Sequence, residues 1–241
     1  MIEIKNVSES YVKGTKVIDN MNLTIEDGRV FGIIGQNGAG KTTTIDMITG
    51  ILNIDEGDIL IDGISISKEP VEAKKRFGFV PDTPEIFEKL TGLEYLNFIG
   101  DVYDVEPGER LEKINTLATE FEIVSNLNDR IQTYSHGMKQ KLLIISVLMH
   151  QPKNWILDEP LTGLDPKASY ILKQLMKKHA EEGNTVFFST HVLDVAEKIC
   201  DKIAVIDKGK VIFTGTVEEF KEKAKTNSSL EESFLKIIDE E

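Results

Sequence analysis

Ile2, Ile4 and Val7 alternate with polar residues at the start of the chain, the period of a half-buried strand. A second strand is expected over 16–25. Glu26-Asp27-Gly28 then turns the chain into Arg29-Val30-Phe31-Gly32-Ile33-Ile34, apolar enough for a buried strand. After a glycine-rich interval the period changes, and Ile45, Ile48 and Leu52 recur at helical spacing around a helix expected over 43–51. A strand over 58–62, a short helix ending at 73–76 and a strand over 77–80 follow, the last stopped by Pro81.

From about Pro84 to His150 the pattern becomes mostly helical. Thr91-Gly92-Leu93-Glu94 is a capping box before Leu93, Leu96, Asn97 and Gly100, and helices are expected over 108–120 and 135–150. Strands then resume. Trp155-Ile156-Leu157 is a short buried one, and Asp165-Pro166 reads as an N-cap with proline at the first position of a helix that stops at Gly183. A strand over 185–189, a helix over 192–199 and a hairpin over 202–207 and 210–213 complete this part. Ser228-Ser229-Leu230-Glu231 is a capping box that opens a short acidic helix. Strands alternating with helices imply an α/β fold, a mainly parallel sheet with helices on both faces, preceded by N-terminal antiparallel strands. The division expected is a core of 1–83 and 151–225, an inserted α-helical subdomain of 84–150, and a C-terminal helix in 226–241.

The 241 residues suffice for one sizeable core with an insertion, and a net charge of −13 argues against a nucleic-acid partner, which would call for a basic face. The one cysteine, Cys200, has no internal disulfide mate and no neighbours for a zinc site, so half-buried packing in a reducing cytoplasm is expected. The N-terminus shows no signal peptide, and the longest nearly apolar stretch, 142–149, is shorter than the roughly 20 residues a membrane helix needs. Any spanning part is therefore expected from another subunit.

Chemistry enters at Gly35-Gln36-Asn37-Gly38-Ala39-Gly40-Lys41-Thr42-Thr43, which fits G-x-x-x-x-G-K-[ST] between a strand and a helix. The pattern resembles the phosphate-binding loop of P-loop NTPases. Backbone N–H groups must wrap a triphosphate, so Gly35, Gly38 and Gly40 dispense with side chains and permit positive φ. The following helix points its free N–H groups at the anion. Lys41 offers a mobile charge to the β and γ phosphates, and Thr42 a hydroxyl for Mg²⁺. Asp158 and Glu159 end a core strand, the edge where ligands sit in open α/β sheets. Asp158 suits Mg²⁺, and Glu159 suits a base for the attacking water, since adjacent charge and partial burial raise one of the two pKa values.

In order, these motifs resemble the nucleotide-binding subunit of an ABC transporter. The loop resembles Walker A, Trp155 to Glu159 resembles Walker B with its catalytic glutamate, Leu161-Thr162-Gly163-Leu164-Asp165 the D-loop, and Ser189-Thr190-His191 the switch-histidine segment. Tyr11 falls where the family stacks an aromatic on adenine, and Tyr134-Ser135-His136-Gly137-Met138 resembles the signature. The resemblance implies ATP and Mg²⁺ as cofactors, with Asn37, Ala39 and Thr43 completing the nucleotide-binding loop. It implies hydrolysis promoted by Glu159 and His191, and a head-to-tail homodimer or heterodimer whose Ser135 and Gly137 reach the γ-phosphate held by the other copy. It also implies a separate transmembrane permease, hence a place on the inner face of the cell membrane. The tail Ser229-Leu230-Glu231-Glu232-Ser233-Phe234-Leu235 looks like that of bacterial drug, antibiotic-peptide and ion exporters.

Two departures stand out. Only Ser135 and Gly137 match the usual Leu-Ser-Gly-Gly-Gln signature, and Asp82 replaces the glutamine whose amide oxygen touches Mg²⁺. His136, His150 and His179 are expected to be solvated. An apolar patch at 84–103, with Ile86, Phe87 and Leu90, reads either as a docking surface or as subdomain core. The competing functional reading is an ABC-type ATPase that regulates or scaffolds rather than transports.

Overall fold

The computed structural model describes residues 1–10, 16–84, 86–226 and 229–239. A six-stranded sheet runs in the order β10-β9-β3-β8-β7-β6. Its strands are β3 (Arg29–Ile34), β6 (Phe77–Val80), β7 (Asn154–Leu157), β8 (Thr185–Thr190), β9 (Lys202–Asp207) and β10 (Lys210–Gly215). All pair in parallel except β10, which closes one edge as a hairpin with β9. A second, antiparallel sheet has the order β2-β1-β4-β5, from β1 (Ile2–Glu9), β2 (Ile18–Ile25), β4 (Glu56–Ile61) and β5 (Ile64–Ser65).

Buried strands alternate their side chains between two cores, as the two-residue period requires. Phe31, Ile33, Ile156, Phe187, Ala204 and Ile206 join the antiparallel sheet and α1 (Lys41–Thr49) in one cluster. Val30, Val80, Leu157, Val186 and Phe188 point the other way, into helices. One face is therefore covered by α1 together with a sheet, where the sequence pattern suggested helices alone.

The helical excursion separates β6 from β7, yet these two strands are neighbours with Val80 opposite Leu157. It contains α3 (Gly92–Val102), α4 (Pro107–Glu120) and α5 (His136–Met149). The Thr91 box forms as expected, with Glu94 N–H donating to Thr91 Oγ1 at 3.2 Å and Thr91 N–H to Glu94 Oε2 at 2.8 Å. Arg110 buries its guanidinium against the end of α3, donating to the carbonyls of Asn97 (3.0 Å) and Val105 (2.8 Å) and to Asp101 (2.7 Å). A short α2 (Pro70–Lys74) precedes β6, α6 (Pro166–Glu181) follows β7, and α7 (Leu193–Ile199) follows β8.

Helix α8 (Val217–Lys223) has no counterpart in the sequence reading, although a second capping box, Thr216 with Glu219, starts it. With α7 and α9 (Leu230–Asp239) it covers the β9 end of the sheet through Phe220, Leu230 and Phe234. Ser228 lies outside the described residues, and Ser229 Oγ, just before α9, accepts from Glu232 N–H at 3.3 Å. Cys200 is half-buried, as expected, and burial pushes its thiol up.

Two histidines depart from the expected solvation. His179 is buried with its ring stacked on Trp155 at 4.0 Å, and Nε2 donates to the Lys153 carbonyl at 3.1 Å. His150 stacks on Tyr103 at 3.7 Å. Burial, with Lys113 nearby, lowers the His150 pKa to about 4. Charging it is easier in the unfolded chain, whose reference pKa is 6.5, so its contribution is complete above pH 6.5 and is lost as pH falls toward 4. That loss reaches about 3 kcal/mol for such a shift. Denaturant unfolding from pH 7 to 4 should show a shallower decline in His150→Phe, which keeps the stack, than in the parent chain.

Candidate functional site

Parallel register brings the chemistry to one edge. Ile34, the last residue of β3, pairs with Thr190 of β8, and Leu157 of β7 pairs with Phe188. The loop after β3, the carboxylates after β7 and His191 after β8 thus emerge together. A cavity of about 560 Å³ there is lined by Asn37, Gly38, Gly40, Lys41, Thr42, Thr43, Asp82, Glu159 and His191. Val17, not singled out in the sequence, and Thr162 of the D-loop segment also line it. Tyr11 lies outside the described residues.

The glycines serve different purposes. Gly38 and Gly40 take φ of +81° and +109°, as the loop chemistry requires. Gly35 does not have positive φ; it is excluded from bearing a side chain because a Cβ would sit 2.4 Å from the Ile206 carbonyl oxygen. Ala39 is buried, its N–H bonded to Gln36 O at 3.1 Å and its carbonyl to Gly209 N–H at 2.9 Å. Gly40 caps α1 without a side-chain bond, and a helix N-terminus of this kind favours an anion. Lys41 is held rather than mobile. It is buried, and Nζ donates to the Gly35 carbonyl at 2.9 Å and the Gln36 carbonyl at 3.2 Å. Burial lowers its pKa, against the opposing pull of Glu159 and Asp158.

Asp158 is buried at the end of β7 and accepts hydrogen bonds from Ser189 Oγ and from Thr42. Burial raises its pKa; these bonds oppose the rise, and Asp82 and Glu159 add to it. Glu159 has φ of +43°, its N–H donates to Ser189 Oγ at 2.9 Å, and His191 Nδ1 lies 2.9 Å from its Oε1. His191 therefore partners the carboxylate assigned as base. The sequence reading placed Ser189 in the switch-histidine segment without giving it a role, although a hydroxyl ending the apolar run Val186-Phe187-Phe188 was a readable signal.

The oxygens fit a hard divalent cation. Among the described residues no cluster of three or more His, Cys, Asp or Glu could hold a metal by itself. Thr42 and Asp158, with Asp82 facing the same cavity, leave coordination positions for water and phosphate, which is how Mg²⁺ is commonly held.

Ser135 and Gly137 are not among the residues lining this cavity. Ser135 is exposed at the N-cap of α5, its Oγ accepting from Met138 N–H at 3.3 Å. Gly137 packs on the turn after Glu159, where an added Cβ would lie 2.6 Å from the Gly163 carbonyl oxygen. Lys141 of the same helix pairs with Asp165 at 2.6 Å.

The profile of the ABC transporter family matches residues 18–162. The chain belongs to this family. It is 39% identical over 91% of its length to the uncharacterized ABC transporter ATP-binding protein YhcH of Bacillus subtilis, covering 71% of that protein. It is 35% identical over 90% to the linearmycin resistance ATP-binding protein LnrL of the same organism, covering 69% of it. A solved ATP-binding subunit of an ABC transporter superposes with a TM-score of 0.94 at 30% identity, over 99% of both chains. The dimeric ABC transporter cassette MJ0796 gives 0.81 at 27%, over 90% of this chain and 98% of that one. This ABC protein is accordingly an ATP-binding subunit and an ATPase with the P-loop fold and an inserted helical subdomain.

Gly35→Ala should push the ABC loop away from Ile206. Such a clash costs about 1–3 kcal/mol. Melting and nucleotide titration should show a lowered Tm together with weakened ATP binding.

Proposed function

We propose that this subunit closes head to tail on a second copy, or on a homologous ATPase, over two ATP molecules, and that closure and reopening drive export through a separate membrane permease. The observation that carries this reading is the separation of the two half-sites. Lys41, Thr42, Glu159 and His191 share one cavity, while Ser135 and Gly137 sit outside it, with Ser135 exposed at the end of a helix. A γ-phosphate held in the cavity would then be completed by the other copy's α5 N-terminus, whose N–H groups and Ser135 hydroxyl suit an anion.

The glycine loop and the first turn of α1 bind the phosphates through N–H groups, including that of Asn37; Ala39, whose own N–H is bonded to the Gln36 carbonyl, shapes the loop, and Thr43 completes the site. Lys41 turns from its own loop carbonyls toward the β and γ oxygens. Thr42 and Asp158, with Asp82 beside them, would hold Mg²⁺, which when bound neutralises phosphate charge. Glu159 accepts a proton from the water that attacks the γ-phosphorus, and ADP departs as the P–O bond breaks. His191 orients the Glu159 carboxylate and lies within reach of the γ-phosphate. Tyr11 is proposed to stack on adenine. Loss of the γ-phosphate contact removes the difference in affinity between closed and open states, and the dimer opens.

For the permease contact, the apolar stretch divides. Ile86 and Leu90 pack against the helical core, whereas Phe87 and Phe98 remain exposed with their rings edge-on at 5.6 Å. We assign docking to this exposed pair and Val102, on a helical subdomain of 84–150 that moves against a core of 1–83 and 151–225. The helix within 226–241 rides on that core. No helix among the described residues is long and apolar enough to cross a membrane, so the proposed place is the cytoplasmic face, through the permease. Export follows from the tail and signature and from the relative named for linearmycin resistance.

Glu159→Gln should lower kcat by at least about 100-fold, the usual worth of a general base, and accumulate an ATP-bound dimer in size-exclusion chromatography. Wild-type turnover would refute the assignment. Ser135→Arg should abolish ATP-driven dimerisation while the isolated chain still binds ATP; unchanged dimerisation would reject the shared site.

A further inference from the structure

We propose that Ser189 is a positioning residue for hydrolysis, one hydroxyl that sets the mutual orientation of Asp158 and Glu159; this rests on the roles assigned above to those two carboxylates. Ser189 is fully buried near the end of β8, opposite Ile33 of β3. Its Oγ donates its single proton to Asp158 Oδ1 and accepts the Glu159 N–H at 2.9 Å. The hydroxyl is thus used in one sense only, donor to the metal-side carboxylate and acceptor from the backbone of the base.

The acceptor half of this bridge answers a specific need. Glu159 follows Asp158 directly and has a φ of +43°, a left-handed conformation rarely adopted by a residue with a side chain. Its amide is therefore turned out of the strand ladder toward β8, and Ser189 is the group that receives it. With the amide held, the Glu159 side chain reaches the cavity and His191 at 2.9 Å. With the donor held, the Asp158 carboxylate turns its remaining lone pairs toward Thr42 and the metal side. Alanine at 189 would free both at once, leaving the Glu159 N–H without its acceptor and Asp158 without its inner donor.

Outer groups of this kind change metal affinity or activity by about 10- to 100-fold when removed. Ser189→Ala should therefore lose about 10- to 100-fold in kcat with little change in KM for ATP. Titrating Mg²⁺ against binding of a fluorescent ATP analogue should show a higher midpoint, while binding of the analogue in EDTA stays at the parent level. Ser189→Thr, which keeps the hydroxyl, should recover most of both losses.

Parent-like kcat and Mg²⁺ midpoint in Ser189→Ala would overturn the proposal. So would a loss of EDTA binding that parallels the loss of kcat, because the glycine loop would then have collapsed as a whole. A folded Ser189→Thr without recovery also overturns it. If the added methyl lowers Tm, the division between kcat and EDTA binding in the alanine variant decides alone. Glu159→Gln measured in parallel separates the two readings: an inactive Glu159→Gln beside a normal Ser189→Ala defeats only the role of Ser189, whereas an active Glu159→Gln defeats the base assignment beneath it.

Discussion

The parallel pairing of β3, β8 and β7 is the constraint on which the site depends. Parallel strands all finish at one edge, and here Ile34 finishes beside Thr190 while Leu157 lies beside Phe188. Three loops far apart in sequence are delivered to one place by backbone hydrogen bonds alone. Slippage of β8 by one residue would reverse its faces, carrying Ser189 away from Asp158 and Phe187 out of its core. Packing fixes that register, because Phe187 and Phe188 are both fully buried in different clusters. The same burial that stabilises the sheet therefore aligns the chemistry.

Electrostatics explains why a cation belongs with the phosphates. Lys41 is the buried cation of the loop, and it faces Asp158, Glu159 and the nearby Asp82. Burial disfavours the charged form of both Lys41 and Asp158, opposed at Lys41 by Glu159 and Asp158 and at Asp158 by the hydroxyls of Ser189 and Thr42. A triphosphate added to three carboxylates would be strongly repelled without further positive charge. Asp82 sharpens this requirement, since it places a full negative charge where an amide would be neutral. The proposed Mg²⁺ relieves that repulsion, and the backbone dipoles of α1 contribute in the same direction.

Much of this was legible in the sequence because it is local. The glycine loop, the Thr91 capping box, the Asp165 cap and the limits of β3 and β6 depend on neighbours within a few residues. What depends on distant contacts was not. His150 and His179 read as surface residues until Tyr103 and Trp155 supply flat partners. Gly35 looked like a residue needing unusual backbone, when it yields space to Ile206 from another strand. Helical spacing could not tell which of Ile86, Phe87 and Leu90 faces the core, and the packing of α3 and α5 separates them. Helix α8 was a different failure, for its capping box was present in the sequence and simply short of apolar residues.

The contact between Gly137 and Gly163 has a consequence for the proposed dimer. Thr162 N–H bonds back to the Glu159 carbonyl at 3.0 Å, so the turn that carries Gly163 is tied to the base. Gly163, with φ of +76°, lies so close to the His136 ring that neither can carry further bulk. Lys141 and Asp165 add an ion pair between the same helix and the same turn. In the proposed head-to-tail pair, a shift of Glu159 would be passed through these contacts to the N-terminus of α5 in its own chain, the end proposed to face the nucleotide held by the other copy. Packed backbone, with no separate messenger, would then link the two proposed sites.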